Sequence, residues 1–228
     1  MKKSILILFS LSIFQLCNCK EKQFLYRCGT HDEDIKPLPA ANFIPINKDN
    51  RKLDNEEFKD FHIHLDLLNI KKDIIKFGLE EYEDLFIDSM NKAVKTLESL
   101  LGVKKSDVGF VFTDDQIANI NIQEWNKSLI GTNAIGHTGE LGIDLFIFGR
   151  VDDQMELSTL ATAGPKYFDP NSGRPLVGVV NINKNVNYSK INSREYFQSI
   201  VIHEFTHILG FLSYYFINHM HIILQGII

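Results

Sequence analysis

The chain has 228 residues, of which 44% are hydrophobic and 23% are charged, a composition typical of a globular protein. The formal net charge is −5, and no basic stripe is present. Both features argue against nucleic acid as a partner.

The N-terminal residues predict a secretory signal peptide at residues 1–19. Two lysines precede a short apolar run from Ile5 to Phe14, and cleavage would follow Cys19. The run is shorter than the roughly 20 apolar residues that a transmembrane helix needs. We therefore expect a protein of the secretory pathway that is extracellular or lies at the cell surface.

Two N-glycosylation sequons and one cysteine are also relevant to secretion. Asn126-Lys127-Ser128 and Asn187-Tyr188-Ser189 agree with entry into the secretory pathway, although such triplets are common by chance. Removal of the signal peptide would leave Cys28 as the one remaining cysteine. A lone thiol cannot close an intramolecular disulfide, so it is unpaired, intermolecular or used chemically.

Residues 20–60 form a mixed polar stretch with three prolines, which is typical of a pro-segment or linker. Phe61–Leu67 then alternates between apolar and polar residues, as a half-buried strand does. Apolar residues recur at helical spacing from Tyr82 to Leu101, and Gly102 would end that helix.

The next elements are shorter. Val108–Phe112 and Leu145–Phe148 are β-rich runs, separated by a predicted loop at Trp125–Gly142. A turn at Asp169–Gly173 leads into another predicted strand, Leu176–Ile182. Strands and helices in this order predict an α+β or α/β fold over residues 61–212, of which we adopt α+β.

The last predicted helix begins near Ser193 and ends at Gly210. Asn192 can act as its N-cap, with Glu195 three residues later as in a capping box. This helix contains the motif His203-Glu204-Phe205-Thr206-His207.

The motif has the spacing of a zinc site. Residues four apart lie on one helix face, so His203 and His207 can bind one metal ion. Glu204 lies about 100° further around the helix, where its carboxylate can accept a proton from metal-activated water and pass it to the leaving amine. The alternative is a buried amphipathic helix that contains two histidines by chance, but the apolar flanks and the predicted cap favour a metallopeptidase.

The other histidines carry weaker signals. His62 and His64 share a strand face at a spacing that metals also use, but we interpret them as the polar side of that strand. His31 and His137 have no partner that the sequence identifies.

The stretch from His203 to Phe211 resembles the active-site helix of the leishmanolysin family, a branch of the metzincin metalloendopeptidases. Thr159-Leu160-Ala161 and Gly173-Arg174-Pro175-Leu176-Val177-Gly178 are similar to segments upstream of that helix. Arg27-Cys28-Gly29-Thr30-His31-Asp32 resembles the pro-segment motif of the family, with one extra residue.

The resemblance implies a metzincin-like N-terminal catalytic subdomain, in which a mixed twisted sheet packs with a long helix and the motif helix. It also implies a zinc endopeptidase made as a latent precursor, with protein or peptide substrates and one zinc ion per chain. His203 and His207 would be zinc ligands, Glu204 the general base and Cys28 the cysteine-switch ligand. An extended substrate would lie along a strand edge beside the helix, for which Leu176–Ile182 is the candidate.

The sequence departs from the family after Gly210. Metzincins supply a third histidine and a methionine-containing turn, whereas residues 213–228 form an apolar tail in which His219 and His221 match no known pattern. We therefore leave the third ligand unassigned and expect a truncated gene product that lacks its C-terminal part and binds zinc weakly. A membrane span in the tail is disfavoured, whereas association with a membrane surface and the oligomeric state stay open.

Two further functions compete with the peptidase hypothesis. One is a catalytically inactive secreted or cell-adhesion protein that keeps a degenerate protease scaffold. The other is an unrelated globular protein with a fortuitous motif. The second predicts no loss of zinc or proteolysis when the motif is mutated.

Overall fold

The computed structural model describes residues 58–104, 114–126, 142–169, 173–191 and 193–210. The predicted signal peptide, Cys28, the strand at Val108–Phe112, most of the predicted loop at Trp125–Gly142 and the apolar tail lie outside these residues.

Six strands and four α-helices occur in the described residues. In chain order they are β1 (Phe58–Asp60), β2 (Ile63–Asp66), α1 (Leu68–Phe77), α2 (Glu83–Leu100), β3 (Gly102–Lys104), α3 (Asp114–Ala118), β4 (Leu145–Asp152), β5 (Ala161–Phe168), β6 (Pro175–Asn183) and α4 (Arg194–Ile208). Single turns of 3₁₀ helix precede α2 at Glu80–Tyr82 and precede α4 at Tyr188–Lys190.

Four of the strands form one mixed sheet in the order β2-β4-β6-β5. The β2–β4 and β4–β6 pairs are parallel, whereas β5 runs antiparallel to β6. Strands β1 and β3 form a separate antiparallel pair, so β1 is paired although it lies in the range predicted as pro-segment. The predicted mixture of helices and a mixed sheet is confirmed, in an arrangement compatible with a protease domain.

Side chains alternate between the two faces of the sheet, and each face has its own core. On one face, residues such as Ile147 and Val180 pack with buried side chains of α1, α2 and α4. On the other face, Phe146, Phe148 and Val179 pack with isoleucines of the 117–122 segment. The sheet is thus buried on both sides, which explains the continuous apolar run Leu145–Phe148 at the start of β4.

Two predictions, one about α2 and one about β6, are wrong. Gly102 does not cap α2 in a left-handed conformation, because Leu101 is already extended and Gly102 begins β3. The strand predicted at Leu176–Ile182 exists as β6, but it is not a sheet edge, since β4 and β5 pair with it on its two sides. Among the described strands, the outermost position beside β6 is held by β5.

The structure also contains elements that the sequence analysis did not predict. Helix α1 and strand β5 are the longest of these. None of the helices in the described ranges is long and apolar enough to cross a membrane.

Candidate metal centre

Helix α4 positions the motif, and its start is defined by a side-chain cap. Ser193 has an extended backbone, and its Oγ accepts a hydrogen bond of 3.0 Å from the backbone N–H of Tyr196. Hydrogen bonds from its own backbone amide and from Ser193 lower the pKa of Glu195, which places a negative charge in the first turn. The N-cap is therefore Ser193 and not Asn192, because the helix starts one residue later than predicted.

One face of α4 is buried against α2 and the sheet. Phe197, Val201, Phe205 and Ile208 are fully buried at the helical spacing of a core-facing stripe. The helix lies close to the sheet at Gly178 of β6, where a Cβ atom would lie 2.2 Å from Cγ2 of Ile208. A larger residue at this position would require Ile208 to shift. The helix ends at Ile208, two residues before the predicted end, and Gly210 follows the C-cap residue Leu209 with a positive φ of 87°.

The three candidate side chains of the motif converge. Nε2 of His203 lies 3.1 Å from Nε2 of His207, and the two rings are perpendicular. One ligand atom from each of His203, Glu204 and His207 can be chosen so that all three lie within 4.8 Å of one another. Glu204 is fully buried, whereas both histidines are half-buried. This is the one group of three or more potential metal ligands found among the described residues.

The donor set fits a zinc ion. Two imidazole nitrogens, each about 2.0–2.1 Å from one tetrahedral zinc ion, are separated by roughly 3.3–3.4 Å. The observed separation of 3.1 Å is close to that value. Imidazole nitrogen and carboxylate oxygen are both zinc ligands, although Glu204 in this position can instead serve as a base.

The electrostatics of the centre also suit a metal. Burial, and then repulsion from His207, lower the pKa of His203 from its ordinary value of 6.5 to about 4. His203 is therefore neutral at physiological pH and offers a lone pair, as metal ligation requires. Nδ1 of His203 is buried and has no hydrogen-bond partner within the described part of the chain.

The other candidate residues do not join this centre. His64 packs against the ring of Phe146 with a centroid distance of 4.3 Å, and the exposed His62 directs its backbone N–H to Asp144. Cys28, His31, His137, His219 and His221 lie outside the described residues.

Two structural features near the centre were not predicted from the sequence, the close packing at Gly178 and the ion pair of Arg174. The role of Gly178 depends on Ile208, which is distant in sequence, so no local pattern reveals it. Arg174, noted only as part of a family-like segment, forms an ion pair of 3.7 Å with the fully buried Asp144. That pair joins the start of β6 to the start of β4.

A helix that presents His-Glu-x-x-His beside a mixed sheet is the arrangement of a metallopeptidase active site. Comparison with protein families agrees: the model of peptidase family M8, leishmanolysin, matches residues 132–226. The predicted resemblance to leishmanolysin is thereby confirmed over the part of the chain that contains the motif. No curated protein sequence matches the chain.

The match covers two of the segments that resemble the family, Gly173–Gly178 and the motif helix, and it continues beyond Phe211 to residue 226. It does not cover the family-like segment Arg27–Asp32, which lies before residue 132. The match to this family implies a metallopeptidase that acts on protein or peptide substrates with a metal that is typically zinc.

Proposed function

We propose that this protein is a zinc-dependent metalloendopeptidase. The observation that carries the proposal is the convergence of His203, Glu204 and His207 on one turn of α4. The match to the leishmanolysin family over residues 132–226 supports the same reaction class.

Each residue of the motif has a distinct role in this proposal. His203 and His207 hold the ion, and a low pKa keeps His203 unprotonated for that purpose. When bound, zinc acts as a Lewis acid that activates water at neutral pH and polarises the peptide carbonyl. Glu204 accepts the proton of the attacking water and transfers it to the amine of the leaving peptide.

The proposal is tested by the Glu204→Gln variant, which keeps the shape of the side chain but removes the base. We expect the variant to retain zinc while kcat for peptide hydrolysis falls about 10²–10⁴-fold. Zinc content is measured by elemental analysis and hydrolysis with an unstructured protein substrate. Equal activity in both proteins would exclude the proposed role of Glu204. A Cys28→Ser chain, in which the proposed latency is removed, that binds zinc but cleaves nothing would instead support the inactive-scaffold alternative.

We further propose that zinc is held loosely. Catalytic zinc sites usually supply three protein ligands, and the described residues offer two imidazoles beside Glu204. Once Cys28 has been replaced by serine, so that its thiol cannot bind the metal, the ion should therefore be lost on dialysis against a moderate chelator. One zinc equivalent that survives this treatment in Cys28→Ser would contradict the idea and point to a third ligand beyond Gly210, where His219 and His221 would be replaced in turn.

We also propose that the protein is made as a latent secretory precursor in which Cys28 blocks the metal. A thiolate is a strong zinc ligand and would displace the water that the reaction needs. In the same assay, Cys28→Ser should raise the activity of the uncleaved full chain, and an unchanged activity would argue against this switch.

A further inference from the structure

The connection between β6 and α4 contains the sequon Asn187-Tyr188-Ser189, which the metal centre does not use. The three residues alternate in burial. Asn187 and Ser189 are exposed, whereas Tyr188 between them is 4% exposed. The acceptor amide and the hydroxyl of the sequon therefore both face solvent.

Tyr188 anchors this connection to the core. Its hydroxyl donates a hydrogen bond to the backbone carbonyl of Asn183, and its ring packs against Phe86 and Phe197 with centroid distances of 4.8 and 5.9 Å. A third ring, that of Tyr82, lies 5.3 Å away. This cluster holds the sequon at a defined place on the surface.

The acceptor side chain is also oriented locally. Oγ of Ser189 donates a hydrogen bond of 2.6 Å to Oδ1 of Asn187, and the backbone carbonyl of Asn187 accepts one from Lys190. The side-chain amide of Asn187 is thus oriented through its Oδ1 atom and lies at the exposed surface.

We propose that Asn187 is a site of N-linked glycosylation. The co-reactant is a lipid-pyrophosphate-linked oligosaccharide of the secretory pathway. Nδ2 of Asn187 forms a bond to C1 of the first sugar, the bond between C1 and the pyrophosphate oxygen breaks, and the lipid pyrophosphate leaves with the electron pair. The amide loses one proton, and Asn-x-Ser is the acceptor pattern for this transfer.

The glycan would lie away from the metal centre. Tyr188 packs beside Phe197 in the first turns of α4, whereas His207 lies in its last turn. The helical rise between Phe197 and His207 is about 15 Å. The inference requires entry into the secretory pathway but does not depend on zinc, so it can fail without affecting the proposed peptidase activity.

The test is translation of the full chain in the presence of endoplasmic-reticulum microsomes, followed by protease treatment. Protected chains are digested to peptides, and glycans are removed enzymatically in heavy-oxygen water, which marks each glycosylated asparagine as labelled aspartate. We expect the label at Asn187 in the protected fraction. Asn187→Gln and Ser189→Ala should each remove one glycosidase-sensitive shift in mobility.

Ser189→Thr is the matched control, because threonine also completes the acceptor pattern. Ser189→Thr should retain the label at Asn187. Loss of the label in Ser189→Ala would then be due to loss of the acceptor pattern and not to a change in the local fold. Asn126→Gln removes the other sequon and should leave the label at Asn187 unchanged. An unlabelled Asn187 in protected wild-type chains, or the absence of any protected chain, would overturn the proposal.

Discussion

Two pairs of closely spaced histidines, one at the start of β2 and one on helix α4, have different surroundings. On α4, His203 and His207 lie four residues apart and bring their Nε2 atoms to 3.1 Å. At β2, His62 and His64 lie two residues apart, and each makes its own contacts. Neither His62 nor His64 belongs to the group of potential metal ligands found among the described residues.

The difference comes from the elements that surround each pair. His64 is covered by Phe146 of the neighbouring strand, and burial lowers its pKa although Asp66 opposes the shift. His203 is also partly buried, but its neighbours are a second imidazole and the carboxylate of Glu204. Spacing can place two histidines on one face, but their surroundings decide whether they share a metal.

Replacement of one histidine from each pair gives the strongest test of this comparison. His203→Ala removes a ligand from the proposed centre, so we expect zinc affinity to fall by more than about 100-fold, beyond the loss typical of outer-shell partners. His64→Ala should leave zinc affinity unchanged. Competition titration against a chromophoric chelator measures both variants, and similar losses of affinity in both would remove the distinction between the pairs.

A smaller effect is expected from the contact that positions α4. Gly178→Ala would place a methyl group against Ile208, and such overpacking costs about 1–3 kcal/mol of stability. Because α4 must shift, zinc affinity should fall as well. Chemical denaturation and the same chelator titration measure the two effects.

Gly149→Ala is the matched control for that variant. Gly149 is also a buried strand glycine, but a Cβ atom there would meet Met90 and Ile70, which belong to α2 and α1. We expect reduced stability with unchanged zinc affinity. If Gly178→Ala left zinc affinity at the wild-type level, the close contact would not position the centre.

The smallest expected effect is on the pH dependence of the protein's stability. Because the pKa of His203 is lowered from 6.5 to about 4 in the folded protein, the unfolded chain binds more protons between these values. The stability of the metal-free protein should therefore fall as pH decreases from about 6.5 to 4. Denaturant titrations over this range should show a weaker pH dependence for His203→Gln, and identical profiles would show that His203 does not titrate as described.

Much of the order of helices and strands along the chain could be predicted, because the periodicity of apolar residues is a local signal. The strand at Phe61–Leu67, the helix that ends near Leu101 and the helix after Ser193 all occur with small changes in their bounds. Helix α1 was missed, although its buried side chains, Asn69, Ile70 and Ile74, follow helical spacing. The N-cap was misplaced by one residue, since adjacent Asn and Ser have similar capping preference and only the backbone conformation separates them.

The sequence alone determined the candidate chemistry of this protein, because two histidines and a glutamate within five residues need only a helix to become neighbours. Tertiary structure decided the remainder. The pairing of β6 with β4 and β5 made it an interior strand. The close packing of Ile208 accounts for a glycine at position 178. Burial, together with the nearby His207, lowers the pKa of His203. These properties depend on residues from different elements, and the distances between such residues are set only when the chain folds.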